Sequence, residues 1–448
     1  MSINVAKIYS VLGSSSSLVP LAVKDSMASL GMTCGSYVTG KEEGFDRLID
    51  EFGTEIIWLG GIPVYRWLFD KTVFKAYGLD GKFDARNLKD NAIFKKTKEY
   101  APDENVKKAI EKIETKQNLF KKLSASKFVV STVLAITSYV VLTKFKQKYT
   151  ENQIKKELIS EYQNKQEQQN VQKTSDTDIK SKDVKAPNEQ KSPQFKSLAS
   201  IGESLAYNAV KNMWIVDGAI TAERLSASRS SQEFIGYSIK EAFSIMFLYF
   251  IGGKVQKMLE DNAVKKHNKN ISLDARVLED NYMKEIFAND SIKKDLDAFN
   301  QIKSIKSKDG IKKDPLELYN FLHKNPENAI VKMAKQSDII KTYNKTNKID
   351  TRAYIDLDNI ESLKANLEKI YEQYKAAIKN GESPEKFFEK VKKLKRGSIL
   401  TNIGVSVFAL GVLTPAVMLF KRKFFDKDSE FQTKKDIREQ LIKDGVIS

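Results

Sequence analysis

Residues 398–420 read SILTNIGVSVFALGVLTPAVMLF, and the stretch contains no charged side chain. Its 23 residues are enough to span the roughly 30 Å of hydrocarbon in a bilayer as an α-helix. Gly404, Gly411 and Pro415 would weaken an exposed soluble helix but are tolerated in membrane helices. The stretch therefore predicts a transmembrane segment within residues 396–425, in preference to the buried central helix of a large soluble domain. Basic residues flank it on both sides: Lys393, Lys395, Arg396, Lys421, Arg422 and Lys423.

A second apolar segment, residues 128–143, reads FVVSTVLAITSYVVLT and lies between Lys127 and Lys144. It is shorter, but flanking lysines can extend their ammonium groups to the membrane surface, and Phe145 adds apolar length. Its β-branched residues would also suit a buried strand, yet the run exceeds the usual strand length and does not alternate. We therefore predict a second transmembrane segment at residues 128–145.

Two weaker apolar segments are IIWLGGIPVY at residues 56–65 and AFSIMFLYFIGG at residues 242–253. Segments of this length are more often buried helices, interfacial segments or re-entrant hairpins than full crossings. Each contains a glycine pair that would allow a tight bend or close helix packing. A nucleotide phosphate loop is excluded because no lysine and hydroxyl residue follow at the required positions. The glycines are Gly60, Gly61, Gly252 and Gly253.

A short motif occurs twice, as DARNLKDN at residues 84–91 and DARVLEDN at residues 274–281. The aspartate that opens each copy can cap a helix, because its carboxylate accepts from free backbone N–H groups. The arginine then stands four residues before a second aspartate, a spacing that allows an ion pair on a helix. The alternative is a site for an anionic headgroup or substrate. The candidate residues for either role are Asp84, Arg86, Asp90, Asp274, Arg276 and Asp280.

The surroundings of the two motifs match in order. Asp25 precedes Gly60 by 35 residues, and Asp217 precedes Gly252 by the same 35 residues. In both halves a glycine-pair segment comes before the motif, and a lysine-flanked apolar segment comes after it. This agreement indicates two diverged internal repeats. If only the two strong segments cross a membrane, the repeats have opposite orientations. If all four segments cross, the repeats are parallel.

These features together predict an all-α membrane protein with two repeats and a helical, coiled-coil-like insertion in the second. Residues 357–378 belong to the insertion, and they carry an amphipathic stripe that could bind a protein partner. The stripe consists of Leu357, Ile360, Leu363, Leu367, Ile370, Tyr374 and Ala377. The predicted regions are a first repeat (1–150) ending in the 128–145 span, a helix end and disordered polar linker (151–197), the start of the second repeat (198–290), the insertion (291–395), the closing span (396–425) and a charged tail (426–448).

The composition argues against most catalytic chemistry. Cys34 is the single cysteine, so no intrachain disulfide forms. His267 and His323 are the only histidines, and neither has a neighbour at metal-ligand spacing. We therefore expect no catalytic, cofactor-binding or metal-binding residues and no cofactor. The net charge of +17 comes mostly from lysines interleaved with acidic residues. That pattern is typical of a lysine-rich solvated surface, whereas the lysines that flank the apolar segments suit anionic lipid headgroups. Nucleic acid is disfavoured, because it binds to clustered basic patches.

The short apolar run IYSVL at residues 8–12 is too short for a cleavable signal peptide. We expect an integral protein of a bacterial-type cytoplasmic membrane. The leading functional hypothesis is a non-enzymatic structural or interaction platform, with the lipid bilayer as its main partner. A transporter or channel built from two repeats is the first alternative. A lipid-acting enzyme that uses Asp25 and Asp217 is the second.

Overall fold

The computed structural model describes residues 5–13, 18–170, 209–229, 231–307, 310–425 and 432–447. Helices form almost all of this part of the chain, and its sheet is a single antiparallel hairpin. The predicted all-α fold is therefore confirmed. Of the segment predicted as helix end and disordered linker, residues 151–170 are helical. The rest of that segment, residues 171–197, lies outside the described residues.

The described residues of the first half form ten helical elements, two of them with π-helical geometry. In chain order these are α1 (Val5–Leu12), α2 (Val19–Thr39), α3 (Lys41–Glu55), π1 (Ile56–Gly61), α4 (Ile62–Phe69), π2 (Asp70–Phe74), a 3-10 helix (Ala85–Leu88), α5 (Asn91–Glu99), α6 (Glu104–Thr115) and α7 (Gln117–Asn170).

The described second half has the same kinds of element and the β-hairpin. In chain order these are α8 (Ala209–Ser226), α9 (Ser231–Ile245), π3 (Met246–Ile251), α10 (Gly252–His267), α11 (Ala275–Glu279), α12 (Tyr282–Ala288), α13 (Ser291–Asn300), β1 (Ser304–Ser307), β2 (Gly310–Lys313), α14 (Pro315–Lys324), α15 (Ala329–Gln336), a 3-10 helix (Tyr343–Lys345), α16 (Leu357–Lys379), α17 (Pro384–Phe408), π4 (Ala409–Leu413), α18 (Thr414–Phe425) and α19 (Gln432–Lys443).

Three helices in the described part of the chain are long and apolar enough to cross a membrane: Gln117–Lys165, Glu233–His267 and Pro384–Lys421. The first and third contain the segments 128–145 and 398–420. The second contains the weaker segment 242–253, which extends into a much longer helix than its apolar core suggested.

The first half is built on a pair of long antiparallel helices, which we call the first pair. Elements α3, π1, α4 and π2 form one uninterrupted helix over residues 41–74, and this helix lies along α7. Near one end, Thr150 donates to Asp46 Oδ1 across 2.8 Å. Near the other end, Lys127 Nζ lies 2.8 Å from Asp70 Oδ2.

The second half contains an equivalent second pair. Elements α9, π3 and α10 form one helix over residues 231–267, which lies antiparallel to the helix 384–425 made by α17, π4 and α18. Asn402 Nδ2 donates to Gln256 Oε1 across 3.1 Å near one end. The Met418 side chain lies over Gly236 near the other end.

In each half, the helix that leads into the first long helix packs against the long pair of the other half. Helix α2 crosses π4 so closely that Gly31 lies directly against the backbone of Gly411. In return, α8 places Val216 and Ile220 in an apolar cluster with Ala135 of α7. The two halves are therefore joined by a reciprocal exchange of α2 and α8.

At the end of both pairs nearest to Phe74 and His267, residues 79–120 and 268–395 form what we call the helical domain. Its smaller apolar core lies in the first half and the larger core in the second. The backbone N–H of Asp84 donates to the carbonyl of Arg352 across 2.8 Å. Tyr100 stacks on His323 with ring centroids 4.4 Å apart. These contacts join the two regions into one body.

The apolar stripe of α16 is used inside this domain. Ile360, Leu367 and Ile370 have no exposed surface, and Leu363 is also buried. They pack in the larger core together with side chains of α14, α15 and α17. A protein partner bound at residues 357–378 would therefore have to contact the polar face of the helix.

The structure contains no chain reversal at either glycine pair. The backbone is right-handed helical at Gly61 and at Gly252, so both segments continue as straight runs of helix. A Cβ atom at Gly60 or Gly253 would meet nothing within 4 Å, whereas one at Gly252 would lie 3.4 Å from Lys24 Nζ. The re-entrant hairpin considered for these segments is thus wrong, because each segment forms a π-helical turn within a continuous helix.

The predicted charged tail contains an amphipathic helix. Helix α19 packs Ile437 and Leu441 against Ile154 and Leu158 of α7, far from the helical domain. Lys434 Nζ also lies 2.8 Å from a carboxylate oxygen of Glu157. The chain end thereby covers the distal part of α7.

The Gly31 contact gives a test of the exchange between halves. In Gly31→Ala the added methyl would overlap the Gly411 carbonyl, so we expect the free energy of unfolding to fall by about 1–3 kcal/mol. The matched control Gly60→Ala adds a methyl in open space and gains helix propensity of about 1 kcal/mol. Thermal unfolding in detergent would compare them, and equal effects would contradict the close crossing.

His323 makes the helical domain sensitive to acid. Its ring lies between Tyr100 and Tyr319, and burial, aided by Lys335, lowers its pKa to about 4. Between this pKa and the usual value near 6.5 the unfolded chain binds more protons, so stability falls as the pH drops through that range. We expect a loss of roughly 2 kcal/mol by about pH 5.

Hydrogen exchange of α5 and α14 at a series of pH values would measure this loss. His323→Phe keeps the stacked ring and should remove most of the pH dependence, while His267→Gln, at an exposed position, should keep it. Acid sensitivity that persists unchanged in His323→Phe would assign the effect to another group.

Candidate functional site

The described residues bring together a set of buried charges at the end of the bundle opposite the helical domain. Helix α3 contributes carboxylates in two pairs, Asp46 with Asp50 and Glu51 with Glu55. The members of each pair are four residues apart, so each pair projects from one face of the helix. All four are buried, and Asp50 is only 1% exposed.

Arg224 of α8 is the central cation of this set. Its Nη2 lies 3.3 Å from Asp50 Oδ2, and it also donates to Thr54 Oγ1 across 3.0 Å. Its Nε donates to the hydroxyl of Tyr139 across 2.8 Å, and its Nη1 pairs with Glu241 of α9. One side chain from the second half thus contacts α3 and α7 of the first half.

Lys146 supplies a second cation from α7. Its Nζ lies 3.5 Å from Asp46 and 3.6 Å from Asp50, and it donates to the Tyr237 hydroxyl across 3.1 Å. Arg229, which follows α8, reaches the same Asp46 at 3.0 Å. Each carboxylate is therefore shared between cations of different helices.

Lys240 completes the set on α9. Its Nζ lies 3.0 Å from Glu51 and 3.0 Å from Glu241. Arg47 approaches Glu51 at 3.4 Å and lies over the ring of Tyr237. The side chains linked in this way connect α3, α7, α8 and α9.

We call the side chains of this set that are joined by ion pairs the ionic network. It contains five cations and five carboxylates, so its formal charges sum to zero. Glu55 lies outside the network, because its carboxylate accepts from the hydroxyls of Ser26 and Ser29 instead. Removing one charged member would leave its partners buried without a counter-charge. The resulting loss of stability is far larger than the net stabilisation that an intact buried pair provides. The members are Arg47, Lys146, Arg224, Arg229 and Lys240, with Asp46, Asp50, Glu51, Glu233 and Glu241.

Two further carboxylates lie beside the apolar segments at equivalent positions. Asp25 of α2 accepts from the indole Nε1 of Trp58 across 3.2 Å. Asp217 of α8 accepts from the Tyr249 hydroxyl. In both halves the aspartate of the opening helix is thus held by an aromatic donor from the long helix that follows it.

The repeated motif folds in the same way in both halves. The carboxylate of Asp84 accepts from the backbone N–H of Arg86 and pairs with its guanidinium at 2.8 Å. Asp274 caps the backbone N–H of Arg276 in the same manner, at 2.9 Å, and pairs with its guanidinium at 3.1 Å. Arg276 also bonds to Asp338 of the insertion.

The ion pair expected at four-residue spacing is formed two residues back instead. Asp90 caps helix α5 by accepting from the N–H groups of Ala92 and Ile93. Asp280 accepts from the N–H of Tyr282 and from the Gln336 amide. The short turn after each capping aspartate folds the arginine back onto it, away from the second aspartate. Binding of an anionic headgroup at these arginines stays a prediction.

A third copy of the arrangement lies at residues 350–352, which read DTR. Asp350 accepts from the backbone N–H of Arg352 and pairs with its guanidinium at 2.7 Å. Arg352 continues to Asp80 at 3.2 Å, and this contact ties the insertion to the first half. The three Asp-x-Arg turns lie where segments of the helical domain meet.

None of the site residues predicted from the sequence belongs to the ionic network. A signal was present in α3, where Asp46 and Asp50 are like charges at four-residue spacing. Such pairs destabilise an isolated helix and so indicate cations supplied from elsewhere. Which cations pair with these carboxylates is decided by contacts between residues far apart in the chain.

No protein family, curated protein or solved structure matches this chain. Within the described residues, no group of three or more histidine, cysteine, aspartate or glutamate side chains is arranged to hold a metal ion. The function therefore has to be argued from the arrangement of the network, the long pairs and the domain.

Arg224 offers a direct test of the network. Arg224→Met keeps much of the side-chain volume but leaves Asp50 and Glu241 without their guanidinium, so we expect a loss of about 3–5 kcal/mol. The double variant Arg224→Met/Asp50→Asn removes one of the stranded charges and should recover part of this loss. Thermal unfolding of the purified protein measures both, and strict additivity of the two substitutions would argue against a shared network.

Proposed function

We propose that the chain is a non-enzymatic integral membrane protein whose four long helices cross the bilayer and which presents the helical domain on one side as a structural or interaction platform. Helix α2 spans the same depth beside them, because it starts at the domain end, where Lys24 contacts Asn402, and its last turn adjoins the start of α3. The crossing segments are helix 41–74, α7, helix 231–267 and helix 384–425. Three of them are long and apolar enough by composition. Helix 41–74 is included because it follows α7 from one end of its apolar segment to the other.

The observation that carries this proposal is the joining of residues 79–120 and 268–395 in one domain. Two regions that pack together in water lie on the same side of a membrane, so the chain between them crosses an even number of times. Helix α7 supplies one crossing and helix 231–267 supplies the other. This supports parallel halves over the arrangement in which only segments 128–145 and 398–420 cross.

The opposite end supports the same topology. Helix α19 follows the last crossing segment and packs on residues 154–158 of α7, beyond the first strong apolar segment. With four crossings both regions lie on the side away from the helical domain. With two crossings α19 would be on the same side as residues 79–120, across the membrane from residues 154–158 of α7.

We also infer that the halves are diverged copies of one unit. The bonds Asp25–Trp58 and Asp217–Tyr249 join equivalent helices, and the Asp-x-Arg turns follow equivalent long helices. The reciprocal packing of α2 and α8 suits a pseudo-twofold axis between the halves.

A platform suits the chemistry better than an enzyme. The ionic network is internally balanced, and the Asp-x-Arg turns use their side chains to join segments of the domain. The lysines that flank the crossing segments suit a bilayer with anionic headgroups. In the lipid-acting enzyme considered above, Asp25 and Asp217 would supply the reactive carboxylates, and one oxygen of each accepts from an aromatic donor.

A transporter is the second candidate, and the same two aspartates favour it. Carboxylates beside apolar segments of a membrane protein are typical of ion or proton pathways. Proton flux into vesicles that contain the purified protein, read with a pH-sensitive dye, would support transport if Asp25→Asn and Asp217→Asn abolished it. A platform predicts no flux above that of empty vesicles.

The topology can be tested by labelling single cysteines in intact vesicles, in a Cys34→Ser background. Lys108→Cys and Lys379→Cys lie on the exposed surface of the helical domain, one in each half, and should be labelled from the same side. Lys156→Cys and Lys443→Cys should be labelled only from the other side. Labelling of positions 108 and 379 from opposite sides would contradict four crossings.

Alkaline carbonate extraction tests the membrane location itself. An integral protein stays with the membrane pellet, and we expect all of the chain there. Release of the protein into the supernatant would contradict membrane insertion, whatever the result of the labelling experiment.

A further inference from the structure

A cavity of about 250 Å³ lies between the start of α2 and the domain end of the second pair. Its polar wall is formed by side chains from three separate segments, and Ile399 and Ile403 contribute apolar surface. The polar side chains are Lys24, Gln256, Glu260, Ser272, Asp274, Lys395 and Asn402. The carboxylate of Asp274 is paired with the guanidinium of Arg276 at 3.1 Å.

Most of this polar wall is satisfied by its own hydrogen bonds. Asn402 Nδ2 donates to Gln256 Oε1 across 3.1 Å, and Gln256 Nε2 donates to Glu260 Oε1 across 2.7 Å. Ser272 Oγ donates to the other Glu260 oxygen across 3.0 Å. Lys395 Nζ donates to the carbonyl of Ile271 and lies 3.7 Å from Glu260. The carboxylate of Glu260 is therefore already engaged on both oxygens.

Lys24 differs from the other buried lysines. It is only 8% exposed, and its Nζ donates to Asn402 Oδ1 across 3.1 Å. Within the part of the chain that the structure describes, no carboxylate oxygen lies within 4 Å of this ammonium group. Lys146 and Lys240, which are buried to the same degree, each pair with two carboxylates. The cavity thus contains a buried cation without a counter-charge.

We propose that this cavity binds a phosphate group through the Lys24 ammonium. A lysine ammonium is a common ligand of phosphate oxygens, and an anion in the cavity would supply the missing counter-charge. The space corresponds to roughly eight water molecules at their liquid volume of about 30 Å³ each. That is more than a bare phosphate needs, so a phosphate that carries a small organic substituent fits.

The position of the cavity favours a phosphate borne by a lipid. Asn402 lies near the start of the apolar stretch 398–420, and Ser272 and Lys395 belong to the edge of the helical domain. In the four-crossing arrangement this level is the headgroup region of the bilayer. The assignment to a lipid rests on that proposed function, whereas binding of free phosphate at Lys24 does not.

The test uses the full chain purified in a mild non-ionic detergent. Native mass spectrometry or calorimetry would measure binding of inorganic phosphate, a short-chain phosphatidic acid, and an uncharged diacylglycerol of the same chain length. We expect the phosphatidic acid to bind and the diacylglycerol to fail. Lys24→Met should weaken binding roughly ten- to hundred-fold, as expected for loss of a charged hydrogen bond. Lys257→Met, at an exposed position on α10, should leave it unchanged.

A second variant keeps the test decisive if Lys24→Met does not fold. Asn402→Asp places a carboxylate within reach of Lys24, so the new ion pair should abolish phosphate binding. The pair also offsets part of the stability lost with the amide donor to Gln256 Oε1. Unchanged affinity in either folded variant, or no binding by the native chain, would overturn the proposal. Binding of inorganic phosphate without the lipid would assign the site to a free phosphate.

Membrane location and the site can fail separately. Carbonate extraction that released the chain, together with Lys24-dependent binding of inorganic phosphate, would reject the membrane protein and keep the site. Retention in the membrane with no phosphate binding would keep the membrane protein and reject the site.

Discussion

The Arg224 guanidinium is buried between three helices, and the cost of burying its charge constrains how the halves fit. Its carboxylate partners lie on α3 and α9, and its nitrogen Nε is held by Tyr139 of α7. A charge in that position is tolerated only when its partners are held at short range by the surrounding helices. The exchange of α2 and α8 and the antiparallel pairs provide that support. Apolar packing alone would tolerate sliding of one half against the other, whereas shared ion pairs fix one register.

Much of the fold was predictable because its strongest signals are local. A run such as 398–420 is recognisable from composition, and the spacing of Leu363, Leu367 and Ile370 indicates a buried helix face that the structure confirms. The pairing of the halves was not predictable in this way. It depends on contacts such as Thr54 with Arg224, which are separated by 170 residues and leave no periodic pattern.

The Asp-x-Arg turns contain, within a few residues, a contact that was predictable from the sequence and one that was not. The capping role of Asp84 and Asp274 follows from the preference of aspartate for helix starts, and both residues accept the expected backbone N–H group. The partner of the arginine was predicted wrongly, because a helical spacing was assumed where the chain makes a tight turn. The third turn at Asp350 was missed because the residues around it share nothing else with the first two.

The order of the network's members along the chain has a consequence for biosynthesis. Asp50 leaves the ribosome 174 residues before Arg224, the interval from position 50 to position 224. At about 5–20 residues per second this is a delay of roughly ten to thirty seconds. Lys146 emerges midway and can neutralise part of α3 in the meantime. Until α8 is synthesised, the carboxylates of α3 therefore lack part of their counter-charge, and the first half cannot reach its final packing alone.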